Sequence, residues 1–173
     1  DIGREGLGSV SRSFYEASTG RIYSALNYPG TVAHLAAIDV RSGEIKTLLD
    51  LPEGIARDPD VHFDGRRVVF ALRHRKNEDY HIYEIGVDGQ GLKQLTSGAG
   101  VSDIDPLYLP DGRIIFASTR CFHGVPCVGG SSHVSNLYVY DPAGGKIRQL
   151  AFDPHGDRLF RQRLRDVFRN RSA

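Results

Sequence analysis

One stretch of this chain occurs twice, and that repetition constrains its fold more than any composition figure does. Asp58-Pro59-Asp60-Val61-His62-Phe63-Asp64-Gly65-Arg66-Arg67-Val68-Val69-Phe70-Ala71 returns as Asp105-Pro106-Leu107-Tyr108-Leu109-Pro110-Asp111-Gly112-Arg113-Ile114-Ile115-Phe116-Ala117. Asp58 and Asp105 lie 47 residues apart, as do Gly65 and Gly112. The second half of the unit repeats as well. Tyr80-His81-Ile82-Tyr83-Glu84-Ile85 matches Ser135-Asn136-Leu137-Tyr138-Val139-Tyr140, and Leu92-Lys93-Gln94-Leu95 matches Ile147-Arg148-Gln149-Leu150. Leu95 to Leu150 is 55 residues, so eight extra residues sit in the third unit, most of them at Cys121–Ser132. A weaker copy comes first, through Ser18-Thr19-Gly20-Arg21-Ile22-Tyr23, His34-Leu35-Ala36-Ala37-Ile38-Asp39 and Gly43-Glu44-Ile45-Lys46-Thr47-Leu48.

Each unit reads as four short strands. The first ends at an Asp-Gly or Thr-Gly turn, which lets a hairpin reverse tightly. The second is a continuous apolar strand (Val68–Leu72, Ile114–Ala117), the pattern of a strand buried on both faces. The third alternates Ile82 with Glu84 or runs Leu137/Val139, and a Gly-bearing turn leads to a short fourth strand. A four-stranded unit of about 40–50 residues has the period of a propeller blade. The expected fold class is all-β: a partial β-propeller of three four-stranded antiparallel blades, at about 10–51, 55–97 and 103–152, within a propeller fragment 1–156.

Residues 157–173 break the pattern. They hold six Arg against Asp157 and Asp166, with Phe160, Leu164, Val167 and Phe168 at helical spacing. This Arg-rich tail is expected to be helical or disordered, a solvated segment rather than a binding stripe. The body carries no basic stripe with interleaved aromatics, so nucleic acid is not an expected partner. No apolar run approaches the ~20 residues of a membrane helix. The chain has no Met, which leads us to expect a processed chain or an excerpt of a longer protein. Three blades point the same way, because propellers have about four to eight.

Candidate chemistry is sparse. There is no Gly-x-Ser-x-Gly elbow, no Walker or dinucleotide fingerprint, and no Cys-x-x-Cys-His haem-attachment motif in the sequence. His62 and His81 fall on expected strands, where packed structural histidines are the ordinary outcome. His74 falls in a polar loop that reads as a solvated turn. Asp103 and Asp105 precede the third blade, where such residues commonly hold turns by accepting backbone N–H bonds. Asp64 and Asp111 read as turn residues. No catalytic, cofactor-binding or metal-ligating residue is assigned, and no cofactor is expected in this chain. Cys121 and Cys127 stand in the insertion. A loop-closing disulfide is the simplest reading and implies an oxidising compartment. Free thiols are the second reading, and a Cys2His2 metal site with His123 and His133 is the third and weakest, because the spacing is wider than a finger's. The insertion is the candidate binding loop, through Phe122, His123, Gly124, Val125, Pro126 and His133.

The repeat resembles the PD40 (TolB-like, WD40-like) propeller repeat. Leu109-Pro110-Asp111-Gly112-Arg113-Ile114-Ile115-Phe116-Ala117-Ser118-Thr119-Arg120 and Gln94-Leu95-Thr96 carry that resemblance. The stretch from Val101 to Arg113, with Ser118-Thr119-Arg120-Cys121, Pro126-Cys127 and Val134-Ser135-Asn136-Leu137-Tyr138, is similar to the propeller region of hydrazine synthase alpha-subunit-like proteins. In that family the propeller accompanies haem-binding regions on the same chain, which implies a secreted or periplasmic location and haem, if any, in the parent protein. The expected function is a non-catalytic interaction or scaffold module of a larger secreted or periplasmic protein, its partners being other blades, other domains or a protein. The alternatives are the propeller portion of a hydrazine synthase alpha-like multi-haem oxidoreductase, or the gating propeller of a prolyl-oligopeptidase-like serine hydrolase.

The cysteine readings separate in one assay. With Cys121 bridged to Cys127, alkylation before reduction leaves both unmodified; two rapidly labelled thiols remove the bridge and the compartment it implies.

Overall fold

The computed structural model describes residues 10–27, 33–120 and 135–150. Its strands form three four-stranded antiparallel sheets, each in simple sequential order. The first holds β1 (Val10–Glu16), β2 (Arg21–Asn27), β3 (Ala33–Asp39) and β4 (Ile45–Leu51). The second holds β5 (Ile55–Val61), β6 (Arg67–Arg73), β7 (His81–Gly86) and β8 (Lys93–Gln94). The third holds β9 (Asp103–Tyr108), β10 (Ile114–Ser118), β11 (Asn136–Asp141) and β12 (Lys146–Gln149). The described residues contain no helix. The tail 157–173 and the loop with Cys121, Cys127, Phe122, His123, Gly124, Val125, Pro126 and His133 lie outside the described residues.

The turns form as their residues dictate. Gly65 and Gly112 take φ of 69° and 83°, the left-handed region where only glycine is at ease. Beside them Asp64 Oδ1 accepts the Arg66 N–H at 2.9 Å and Asp111 Oδ1 accepts the Arg113 N–H at 3.1 Å. His62, expected on a strand, sits one residue past β5. Its N–H donates to Arg67 O at 2.9 Å and closes the hairpin, so the turn claims it.

Strand β6 explains how the blades stack. Val68, Val69, Phe70, Ala71 and Leu72 are all 0% exposed. Val68, Phe70 and Leu72 join Tyr23, Ala25 and Leu35 of the first sheet in one core. Val69 and Ala71 join Phe116, Ile114 and Tyr138 of the third sheet in another. Successive side chains point to opposite faces, so a run without polar breaks serves both neighbours. Full burial of each large apolar side chain stabilises by about 1.5–3 kcal/mol.

The first strands of the second and third blades carry a paired backbone anomaly. Asp58 and Asp105 have φ of 53° and 52° and are the non-glycine residues in the left-handed region among those described. Each precedes a proline, and each lies where the ladder slips, between Arg57 and Asp60 in β5 and opposite Ile115–Ala117 in β9. The bulge leaves the proline, which has no N–H, without a ladder bond to make. Asp103 and Asp105, expected ahead of the blade, therefore lie inside β9. Asp tolerates this backbone region better than most residues.

Asp105→Gly and Asp105→Ala both delete the carboxylate and differ by one methyl group, so their difference reads chiefly the backbone. The Ala variant should be the less stable by about 1–2 kcal/mol in urea unfolding, and equal stability would remove the strain argument.

Candidate functional site

The strands place the β6–β7 loop, the β8–β9 loop and the end of β10 at one end of the described blades. A polar junction between the second and third blades lies there. Asp103, at the start of β9, is 0% exposed. Its Oδ2 accepts Arg120 Nη2 at 2.7 Å and the His81 Nδ1 at 3.5 Å. Its N–H donates to Tyr80 O across the blade boundary at 2.7 Å. Alongside, Ser102 Oγ donates to Asp79 Oδ1 at 3.1 Å and the Ser102 N–H donates to Thr119 Oγ1 at 2.9 Å.

Burial pushes the Asp103 carboxyl up, yet His81, the Ser118 and Thr96 hydroxyls and the Arg120 charge together hold it below the ordinary carboxylate value. Its Oδ1 and Arg120 Nε are buried without a hydrogen-bond partner, and Oδ2 takes the bonds to Arg120 and His81. The group therefore acts as an ionic joint. Arg120 and Asp103 belong to one blade, and His81 brings the charge onto the next.

A second joint lies toward the hairpin-turn end. Tyr108 is fully buried at the end of β9. Its N–H donates to Asp60 Oδ2 at 2.8 Å and its hydroxyl donates to Glu84 Oε1 at 2.6 Å. Burial and the Glu84 carboxylate push the Tyr108 phenol far up, so it stays a donor. His62 stands edge-on to its ring at 4.8 Å.

An open cleft of about 520 Å³ lies between the β6–β7 and β8–β9 loops. Leu72 and Tyr83 line it, with His81 and Gln94 on the strands and Glu78 and Asp79 on the loop. His74 also faces it, exposed on the β6–β7 loop as the solvated-turn reading expects. Its Nε2 is 2.9 Å from the Tyr83 hydroxyl and its ring meets the Tyr83 ring edge-on at 5.4 Å. Among the described residues no cluster of three or more His, Cys, Asp and Glu could hold a metal ion, and no helix is long and apolar enough to cross a membrane.

The sequence marked His81, Asp103 and His74 one by one; the fold brings His81 and Asp103 together and sends His74 to Tyr83 instead. Arg120 carried no functional mark, although a charged residue closing an apolar strand is the available signal. Asp103→Asn should lower stability at pH 7 by about 3 kcal/mol, since it leaves Arg120 without its anion. The folded pKa of Asp103 is depressed, so its contribution is present above about pH 4 and lost as pH falls through the lowered value. Urea titrations at neutral and acid pH should show the variant losing less stability on acidification; parallel losses would contradict the joint.

No protein-family model matches the chain. In an alignment 172 positions long that covers 92% of this chain, it is 26% identical to hydrazine synthase subunit alpha of Kuenenia stuttgartiensis, and it spans only 21% of that protein's length. Among solved structures it superposes on TolB from Acinetobacter baumannii with a TM-score of 0.63 at 20% identity, covering 84% of this chain and 33% of that one. A puromycin-hydrolyzing peptidase of Mycobacterium tuberculosis gives 0.61 at 15% identity, covering 85% of this chain and 22% of that one. The TolB and peptidase matches carry fold alone. Three stacked four-stranded sheets, the repeat that builds them and these likenesses give the chain a β-propeller fold like that of TolB, with similarity in sequence to hydrazine synthase subunit alpha over most of its length.

Proposed function

We propose that the chain is a non-catalytic propeller module that holds and presents loops within a larger secreted or periplasmic protein. The observation that carries this reading is the use made of its charged groups. Asp103, Arg120, Glu84 and Asp60 are committed to joints in and between blades. Such joints fix the blades as a platform on which loops are preorganised for a partner. The insertion that follows Arg120 in the sequence, with Cys121 and Cys127, is the loop proposed to make the contact. Other blades, other domains of the parent or a separate protein are the proposed partners.

The sequence similarity to hydrazine synthase subunit alpha favours a second reading, in which this propeller braces a multi-haem oxidoreductase. The sequence carries no Cys-x-x-Cys-His haem-attachment motif. In that reading the haem sites belong to other parts of the parent.

Intact mass and a visible absorption spectrum of the protein purified from its own cells separate the readings. A longer chain without a chromophore is the expected result. A haem band selects the oxidoreductase. A mass close to that of these 173 residues alone, in a stable monomer, overturns the module reading.

A further inference from the structure

We infer that the cleft beside His81 binds an arginine side chain presented by a partner polypeptide. The inference rests on the module reading for its setting and names the chemistry of the contact. The first ground is shape. A cavity of about 520 Å³ is within the range of sites for small groups. Leu72 and Tyr83 close its floor and are 0% and 6% exposed, and Ala99 supplies the exposed apolar lining against which a three-carbon stem packs.

The second ground is the hydrogen-bond inventory. His81 Nδ1 donates to Asp103, which leaves Nε2 as an acceptor in the neutral ring. Gln94 Nε2 donates to Thr96 O at 2.9 Å, which leaves Oε1 as an acceptor. Glu78 and Asp79 add carboxylates, and Asp79 already receives one bond from Ser102. An acceptor-rich wall calls for a donor-rich ligand. These acceptors stand on a loop and on two different strands, β7 and β8. A planar guanidinium spreads five donors over such a set, whereas an ammonium concentrates three at one point.

Charge supplies the third ground. No Lys or Arg lines the cleft. Nearby, Arg73 at the end of β6 lies over the Tyr80 ring at 5.0 Å, Arg75 reaches Glu53 at 3.8 Å, and Arg120, beside the lining Gly98, is held by Asp103 at 2.7 Å. The Tyr83 phenol is raised by burial first and by the Glu78 charge second, so the Glu78 field reaches the aromatic wall.

Calorimetric titration of the full chain tests this with four probes: a blocked Gly-Arg-Gly peptide, its citrulline counterpart, its lysine counterpart and agmatine. The arginine peptide should bind saturably, the citrulline peptide at least about tenfold more weakly, and the lysine peptide in between. Glu78→Gln should weaken arginine binding about fivefold, and Gln94→Ala should weaken it to a lesser degree. Both residues are exposed, so unchanged urea midpoints show that the variants fold. Equal affinity for citrulline, absence of saturable binding, or wild-type affinity in both variants overturns the inference. Agmatine binding as tightly as the peptide overturns the polypeptide source. None of these outcomes alters the mass-and-spectrum test, so the cleft assignment and the module reading fail separately.

Discussion

The structure depends on the two-faced burial of the central strand of the middle blade. A strand ordinarily spends one face on a core and the other on water. Strand β6 spends both, with Val68, Phe70 and Leu72 toward the first sheet and Val69 and Ala71 toward the third. Neither core exists without it, because each is a sheet-on-sheet contact rather than the interior of one sheet. A single sheet of this kind has no closed core of its own, so blade stability is a property of neighbours.

That dependence shapes the rest of the repeat. The cross-strand pairs Phe70–Tyr83 and Phe116–Tyr138 occupy equivalent places and put their rings 6.4 and 6.1 Å apart. The corresponding pair in the first blade is Ser24–Ala36. The aromatic pairs face inward onto a preceding blade, in the cores shared with the first and second sheets. The weak resemblance of the first unit to the other two thus has a packing correlate at one pair of positions.

Polar joints at the two ends complement this apolar middle. Asp103 and Tyr108 sit at opposite ends of β9, and each reaches side chains of the second blade. Apolar packing is non-directional and would tolerate sliding of one sheet on the next. Buried hydrogen bonds with fixed partners do not, since a shift would strand the donors and acceptors. The two joints therefore set the register of the third blade on the second, and with it the loops that form the cleft.

Much of this was legible in the residues. The period, the Asp-Gly turns and the unbroken apolar run of β6 are local patterns, set by chain sterics and by the alternation of faces along a strand. They determined the blade and its count within this stretch. The strained Asp58 and Asp105 were visible only as a repeated Asp-Pro, because a left-handed φ depends on where the ladder slips. The Asp103–Arg120–His81 joint and the cleft were not legible. Their parts come from separate strands and loops, and nothing in a linear pattern says that His81 meets Asp103 while His74 meets Tyr83. The sequence by itself determined the repeating strand unit, because hydrogen-bonded turns and side-chain alternation act between near neighbours. Only the tertiary structure decided which charges meet between blades, because that depends on how one twisted sheet settles on the next.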